Sequence, residues 1–327
     1  MQGMLTCFAR MPDGSFEHHD SLDAVCRLAT ECESSLWIDL EAPDGDLLQR
    51  VGGLFNVTPE ALEDCIHGEQ RPRIDEYEDH VLLMLYGFPA GTAEGHFEPK
   101  KLAVVCGSRF LLSVHRDRLQ TIEDVRTRCN RHPQQWFGRG VDLLLYSIVD
   151  GMADRYAMLV EELETRLDQL EDRSFTSDLD DNFLTELSQL RRDLLEVRHI
   201  AASQRDVVAP IAKGECDYVN TDLETRFSHV RDHLTQVVEH IELLRELLNG
   251  ARDNYHALIA DRMADTVKTL TVFASVILPV SLVAGIYGMN LPSWPPSGEA
   301  WSFWVVLAAM GGIAAALLAY FRSRRWV

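Results

Sequence analysis

The hydrophobic pattern of the chain is that of short strands in its N-terminal part. Runs rich in β-branched and aromatic residues predict strands at 36–40, 81–88, 101–106 and 110–115. Between them, residues 21–32 and 59–67 have helical patterns, and Thr58 is the expected N-cap of the second helix. We therefore predict a small α/β domain over residues 1–118.

From Leu119 onward the strand pattern gives way to leucines at helical spacing. Two long helices are predicted, separated by the polar stretch 174–178. A third runs from Asp222 to Tyr287 without a convincing stop, which gives a length of about 100 Å at 1.5 Å per residue. A helix that long needs partners to pack against, so residues 119–266 are predicted to form a long-helix domain of an oligomer.

Two uncharged apolar segments, 269–287 and 301–321, dominate the C-terminal end. Each approaches the roughly 20 residues that cross the hydrocarbon core of a bilayer. We predict that residues 267–327 form a transmembrane hairpin in an α+β protein. Basic residues flank one end of the hairpin and aromatic residues the other, so both termini are expected in the cytoplasm. The basic set is Lys268, Arg322, Arg324 and Arg325, and the aromatic set is Tyr287, Trp301 and Trp304.

The charge is strongly acidic, with a formal net value of -20. The acidic excess lies before the hairpin, whose loop holds a single acid, Glu299. Such a field disfavours nucleic acids and concentrates cations. The seven cysteines lack zinc-site or disulfide spacing, and no P-loop, GxSxG or HExxH motif is present. We expect neither an enzyme nor a bound cofactor.

One face of the first apolar segment has a distinctive composition. Positions separated by three and four residues share a helix face, and here they are small or polar toward the loop and larger toward the basic end. Spacing alone leaves two interpretations open, a helix-packing seam or the wall of a pore. The face consists of Val267, Leu270, Ala274, Leu278, Ser281, Gly285 and Gly288.

The tetrapeptide Tyr287-Gly288-Met289-Asn290 follows this face directly. The IYGMN stretch resembles the signature of the CorA family of divalent-cation transporters, which includes the ZntB branch. The KTLT…P pattern at 268–279, the terminal RSRRWV, and the stretches at 68–85 and 108–115 are also similar to family sequences.

The resemblance implies a homopentamer in a bilayer, the cell inner membrane, that transports divalent cations. First spans would line the pore, long helices would form a cytoplasmic funnel, and second spans would form an outer ring. Asn290 would supply a ring of amides at the outer mouth of the pore, with Gly288 adding backbone oxygens. Because Mg²⁺ sheds its water reluctantly, neutral oxygens that hydrogen-bond to the water shell suit a hydrated ion. Val267 and Leu270 match the family's cytoplasmic gate.

Several positions depart from the family pattern. Ala264 stands where the family has a pore-entrance Asn, and His229 stands where it has a metal-sensing acid, with Asp232 one turn on. The acid that usually follows the motif is missing, which leaves Glu299. A histidine suits a softer metal, which favours Zn²⁺ over Mg²⁺. The alternatives are a Mg²⁺/Co²⁺ channel of CorA type and a membrane-anchored sensor or scaffold without transport.

Overall fold

The computed structural model describes residues 3–30, 34–67, 71–89, 98–138, 140–175, 182–289, 300–324 and 326. The strands are β1 (Met4–Arg10), β2 (Phe16–His19), β3 (Ser35–Glu41), β4 (Arg73–Glu76), β5 (Val81–Gly87), β6 (Lys100–Cys106) and β7 (Phe110–His115). The helices are α1 (Leu22–Thr30), α2 (Gly45–Leu54), α3 (Pro59–Ile66), α4 (Gln120–Arg131), α5 (Pro133–Phe137), α6 (Val141–Phe175), α7 (Phe183–Ala212), α8 (Thr221–Gly288) and α9 (Ala300–Ser323). They form two compact units, Met1–Asn249 and Gly250–Val327. The three-part division predicted from the sequence stays a prediction.

The first unit is built on one seven-stranded sheet with the order β2-β1-β3-β7-β6-β5-β4. Strands β3 and β7 pair in parallel at its centre, and the other described pairs are antiparallel. The four strands predicted from the sequence, β3, β5, β6 and β7, are confirmed. All four strands are almost wholly buried, which explains why their continuous apolar runs could be recognised in the sequence.

Three strands, β1, β2 and β4, and three helices, α2, α4 and α5, were not predicted. The edge strands β2 and β4 have the sequences FEHH and RIDE, and neither contains a fully buried residue, so they have no apolar pattern. Helix α2 begins where the Asp44 carboxylate accepts a hydrogen bond from the Leu47 amide at 2.8 Å. The predicted cap of α3, Thr58, occupies the N-cap position, but its side chain makes no capping hydrogen bond.

Long helices follow the sheet in the first unit. The two predicted helices are α6 and α7, and part of the polar stretch between them lies outside the described residues. The Tyr156 hydroxyl on α6 donates to the carbonyl of Tyr86 at 2.7 Å, which fixes α6 to the end of β5. Gln204 on α7 accepts from the Tyr86 amide at 2.7 Å, so α7 also holds this strand. The third predicted helix is confirmed as α8.

The second unit contains the end of α8 and all of α9. Each helix includes an 18-residue window that is apolar enough to cross a membrane and only 6% buried. Exposed apolar surface of this extent is unfavourable in water. Pro279 lies inside α8 and removes one backbone hydrogen-bond donor from its membrane part.

Candidate ion pathway and polar sites

The predicted pore face of α8 is open over its whole length. Val267, Leu270 and Leu278 are 58%, 68% and 69% exposed. The four smaller members, Ala274, Ser281, Gly285 and Gly288, are exposed as well. All seven residues of this face are therefore exposed on one side of the helix, as far as the structure describes its surroundings.

The opposite side of α8 is the covered one. Val272 is 6% exposed, and the other positions of lowered exposure recur every three or four residues after it. At 3.6 residues per turn, this stripe lies about half a turn from the predicted pore face. The covered stripe comprises Val272, Ser275, Val276, Pro279, Val280, Val283 and Tyr287.

Helix α9 has a matching covered stripe. Its positions of lowered exposure are Ser302, Val306, Met310, Ile313, Ala314, Leu317 and Phe321. Each helix of the second unit thus has one covered stripe, and we infer that the two helices pack through these stripes. The predicted pore face of α8 lies on the other side of the helix from its covered stripe.

The glycines on the open face pack against nothing in the part of the chain that the structure describes. A Cβ atom added at Gly285 or Gly288 would meet no described atom within 4 Å. Helix α8 ends at Gly288, and the Met289 amide donates to the carbonyl of Ile286 at 3.3 Å. The next residue, Asn290, and the loop acid Glu299 lie outside the described residues.

The predicted cytoplasmic metal residues, His229 and Asp232, belong to a site expected between subunits, and that site stays a prediction. His229 is exposed on α8, and the Asp232 carboxylate pairs with Arg231 at 3.0 Å. Among the residues that the structure describes, no group of three or more His, Cys, Asp or Glu side chains could hold a metal ion.

Two other histidines of α8 do reach acids on α6. The nitrogen–carboxylate distance is 3.7 Å for His233 and Asp154 and 3.3 Å for His240 and Glu164. The sequence reasoning missed these pairs. The seven-residue spacing of His233 and His240, which places both on one helix face, was the available signal.

A buried charged network also escaped the sequence reasoning. The fully buried Asp39 carboxylate on β3 accepts from the Ser113 hydroxyl at 2.5 Å and from the Arg126 guanidinium at 2.6 Å. His115 Nε2 lies 3.2 Å from the same carboxylate. The parallel register of β3 and β7 sets Asp39 beside Ser113, and His115 follows two residues later on the same sheet face.

The hydrogen bonds of this network require a charged imidazole. His115 Nδ1 lies 2.8 Å from the carbonyl oxygen of Asp117, and Nε2 faces Asp39. Both partners only accept hydrogen bonds, so both ring nitrogens must donate. Burial by itself lowers the pKa of His115, but the hydrogen bond and charge of Asp39 raise it above its ordinary value. Burial likewise opposes ionisation of Asp39, yet its hydrogen bonds from His115 and Ser113, together with Arg126, lower its pKa.

The chain is similar in sequence and in structure to known proteins. Residues 33–325 match the family described as CorA-like Mg2+ transporter protein. The cobalt/magnesium transport protein CorA of Thermotoga maritima is 28% identical over 282 residues, which cover 86% of this chain and 80% of that protein. The zinc transport protein ZntB of Yersinia pestis is 23% identical over 309 residues, covering 94% and 91%. The solved structure of the CorA magnesium transporter from Methanocaldococcus jannaschii has a TM-score of 0.84 at 21% identity and covers 100% of this chain and 99% of that one.

Proposed function

The chain belongs to the CorA-like Mg2+ transporter family, and we propose that it carries hydrated divalent cations across a membrane through a pore lined by the open face of α8. The family consists of ion transporters rather than enzymes. The observation that carries the proposal is the position of that face, which lies half a turn from the side of α8 that is covered within the protomer.

The proposed pore requires several copies of the chain, because one helix cannot enclose a channel. A homopentamer, with five α8 helices around the axis and α9 outside, is the assembly that the resemblance implies. Large apolar side chains between the open and covered faces remain available for neighbouring helices and lipid. They are Phe273, Ile277, Leu282 and Ile286.

Selection would occur at the outer mouth, where Asn290 follows the last turn of α8. A ring of neutral amides hydrogen-bonds the water shell of the cation without stripping it, so the ion can still leave. At the other end, Val267 and Leu270 would form an apolar constriction that closes by excluding water. The Ser281 hydroxyl adds a polar group between these two points.

For the transported ion we favour Mg²⁺, with Zn²⁺ as the second candidate. Residues 264–288 contain neither cysteine nor histidine, so the pore offers none of the sulfur or nitrogen ligands that Zn²⁺ prefers. His229, whose presence favoured Zn²⁺, lies outside the proposed pore face and so does not act on the ion within the spans. Competition between Mg²⁺ and Zn²⁺ in one flux assay distinguishes the two candidates.

Orientation follows from the charges beside the spans. Lys268 precedes the first span and Arg322 and Arg324 follow the second, so both ends of the hairpin belong on the cytoplasmic side of an inner membrane. The membrane potential would then drive cations inward, with about 2.3 kcal/mol per charge per 100 mV.

Proteoliposome uptake tests transport and the role of the outer mouth together. We expect the wild type to take up Mg²⁺ faster than empty liposomes. Asn290→Ala should lower the rate at least tenfold, because it removes one amide per protomer and the loss of a single hydrogen bond of roughly 1.4 kcal/mol already corresponds to tenfold. Uptake no faster than in empty liposomes would refute transport. Full uptake by Asn290→Ala would refute the amide ring while leaving transport intact.

Thiol substitution tests the open face directly. Ser281→Cys would place one thiol per protomer in the pore, where soft Cd²⁺ binds several thiolates and blocks Mg²⁺ uptake. Val283→Cys, on the covered face, is the matched control. Cd²⁺ should inhibit Ser281→Cys selectively over both wild type and Val283→Cys. Equal inhibition of the two variants would contradict the assigned pore face.

A further inference from the structure

A cleft of about 790 Å³ lies at one end of the sheet in the first unit. Cross-strand pairing sets Tyr86 of β5 beside Lys101 of β6 and sets Leu102 of β6 beside His115 of β7, so three adjacent strands contribute to its wall. Helix α7 closes another side with His199 and Ile200. The volume falls in the range typical of small-molecule sites.

The walls of this cleft gather positive charge in a strongly acidic protein. The net charge is -20, and the chain has only four lysines, two of which, Lys100 and Lys101, line the cleft. Two arginines, Arg71 and Arg116, line it as well. The ion pathway uses none of these four cations.

Part of this charge has a structural role. Lys101 Nζ donates to the carbonyls of Asp64 and His67, and Arg116 Nη2 donates to the carbonyl of Ile66 at 3.1 Å. These contacts satisfy the last carbonyls around the end of α3. They hold both cationic groups against the end of α3, where Lys101 is also attracted by the charge of Asp64.

The cations retain capacity for an anion. A guanidinium has five N–H donors, and Arg116 uses one in the contacts above. Within the described part of the chain, neither Arg71 nor Arg116 has a carboxylate at ion-pair distance. Burial lowers the pKa of Lys101, the negative charge of Asp64 opposes this, and the positive charge of Arg116 lowers the pKa again. A bound anion would reduce the repulsion between Lys101 and Arg116.

The remaining lining limits the kind of anion. Ile66, Pro72, Val114, Ile200 and Tyr86 form an apolar wall that suits an organic group. Carboxylates are also present, and Glu98 already pairs with Lys100 at 3.0 Å. A highly charged polyanion would be repelled by Glu98, Asp117 and Glu196, whereas a single phosphate beside the arginines would not.

We propose that this cleft binds a phosphate monoester of nucleotide size, with Arg71 and Arg116 at the phosphate and the apolar wall around Tyr86 at the organic group. Guanidinium groups suit this role because their paired donors match phosphate oxygens. The site lies within the first unit and is separate from the proposed pore.

Calorimetric titration of the full-length protein in detergent tests this assignment. AMP, adenosine and inorganic phosphate serve as three probes, which separate the contributions of the phosphate and of the organic group. We expect AMP to bind once per protomer and at least tenfold more tightly than either fragment. Arg116→Gln and Arg71→Gln should each weaken AMP binding about tenfold, which corresponds to roughly 1.4 kcal/mol.

Arg118→Gln is the matched control, because Arg118 lies two residues from Arg116, pairs with Glu123 at 3.0 Å and does not line the cleft. It should bind AMP like the wild type. Arg71 makes no described hydrogen bond or ion pair, so its variant separates loss of binding from loss of folding. The proposal is overturned if AMP does not bind, if AMP binds no better than inorganic phosphate, or if Arg71→Gln and Arg116→Gln bind AMP normally.

Discussion

Asp39→Asn is expected to destabilise the first unit more than any surface substitution. The Asp39 carboxylate is completely buried and lies within hydrogen-bonding distance of three side chains, those of Ser113, His115 and Arg126. Asparagine keeps the size of the side chain but removes its charge. Two cationic groups in the protein interior then lose the counter-ion that they share, since the Arg126 side chain is only 14% exposed and that of His115 only 1%. Arg126 keeps a longer ion pair with Glu123 at 3.3 Å, whereas no other ion pair of His115 is described.

The size of the effect follows from this burial. Removing one partner of a buried ion pair typically costs about 3–5 kcal/mol, because the remaining charge is uncompensated. In a unit of about 250 residues, 1 kcal/mol shifts the unfolding temperature by about 2–4 °C. We therefore expect the thermal transition of the first unit to fall by roughly 6–20 °C.

Thermal unfolding of the full-length protein in detergent, followed by circular dichroism, measures this shift. Asp117→Asn is the matched control, because Asp117 contacts His115 through its main-chain carbonyl, which the substitution keeps. The control should lie within about 2 °C of the wild type, as expected for a surface change. A shift of Asp39→Asn no larger than that of the control would refute the assigned role of the buried charge.

Three further predictions concern the same unit. Because the pKa of His115 is raised in the folded state, its protonation stabilises the first unit fully below pH 6.5, the ordinary pKa. This stabilisation is lost as the pH rises through the raised pKa. The unfolding temperature should therefore fall over that pH window in the wild type but not in His115→Gln. Gly214→Ala should destabilise the first unit by about 1–2 kcal/mol, because Gly214 follows α7 with φ +72°. Gly53→Ala, within α2, should stabilise it by up to about 1 kcal/mol. The midpoints of denaturant unfolding check the direction of both changes. Arg166→Gln should cost about 1–3 kcal/mol by the same measurement, because it removes the 2.9 Å ion pair of the buried Asp193, and an unchanged midpoint would contradict this.

The membrane end could be predicted from the sequence because its signal is local. No charge occurs between Lys268 and Glu299, and a second uncharged run follows, so length and composition alone indicate two spans. The long helix into the first span was predicted for the same reason, and α8 confirms it. The central strands were also legible, because burial on both faces gives continuous apolar runs.

The sheet edges and the buried network could not be obtained in this way. Strands β2 and β4 are polar, and only pairing with β1 and β5 makes them strands. The network joins Asp39 to Ser113 and Arg126, residues separated by 74 and 87 positions. A signal did exist, since Asp39 interrupts one apolar run, and Ser113 and His115 interrupt another. The sequence did not indicate that the two runs form neighbouring strands of one sheet.

The sequence by itself determined the family, the two apolar spans and the face of α8 with small and polar residues toward the loop. It left open whether that face packs against another helix of the same chain or lines a pore, because periodicity gives the composition of a face but not its surroundings. The tertiary structure of the described residues shows that the covered stripe of α8 lies on the opposite side of the helix and that this face is exposed. The physical reason is that burial depends on where distant segments run, and residue spacing along one helix does not contain that information.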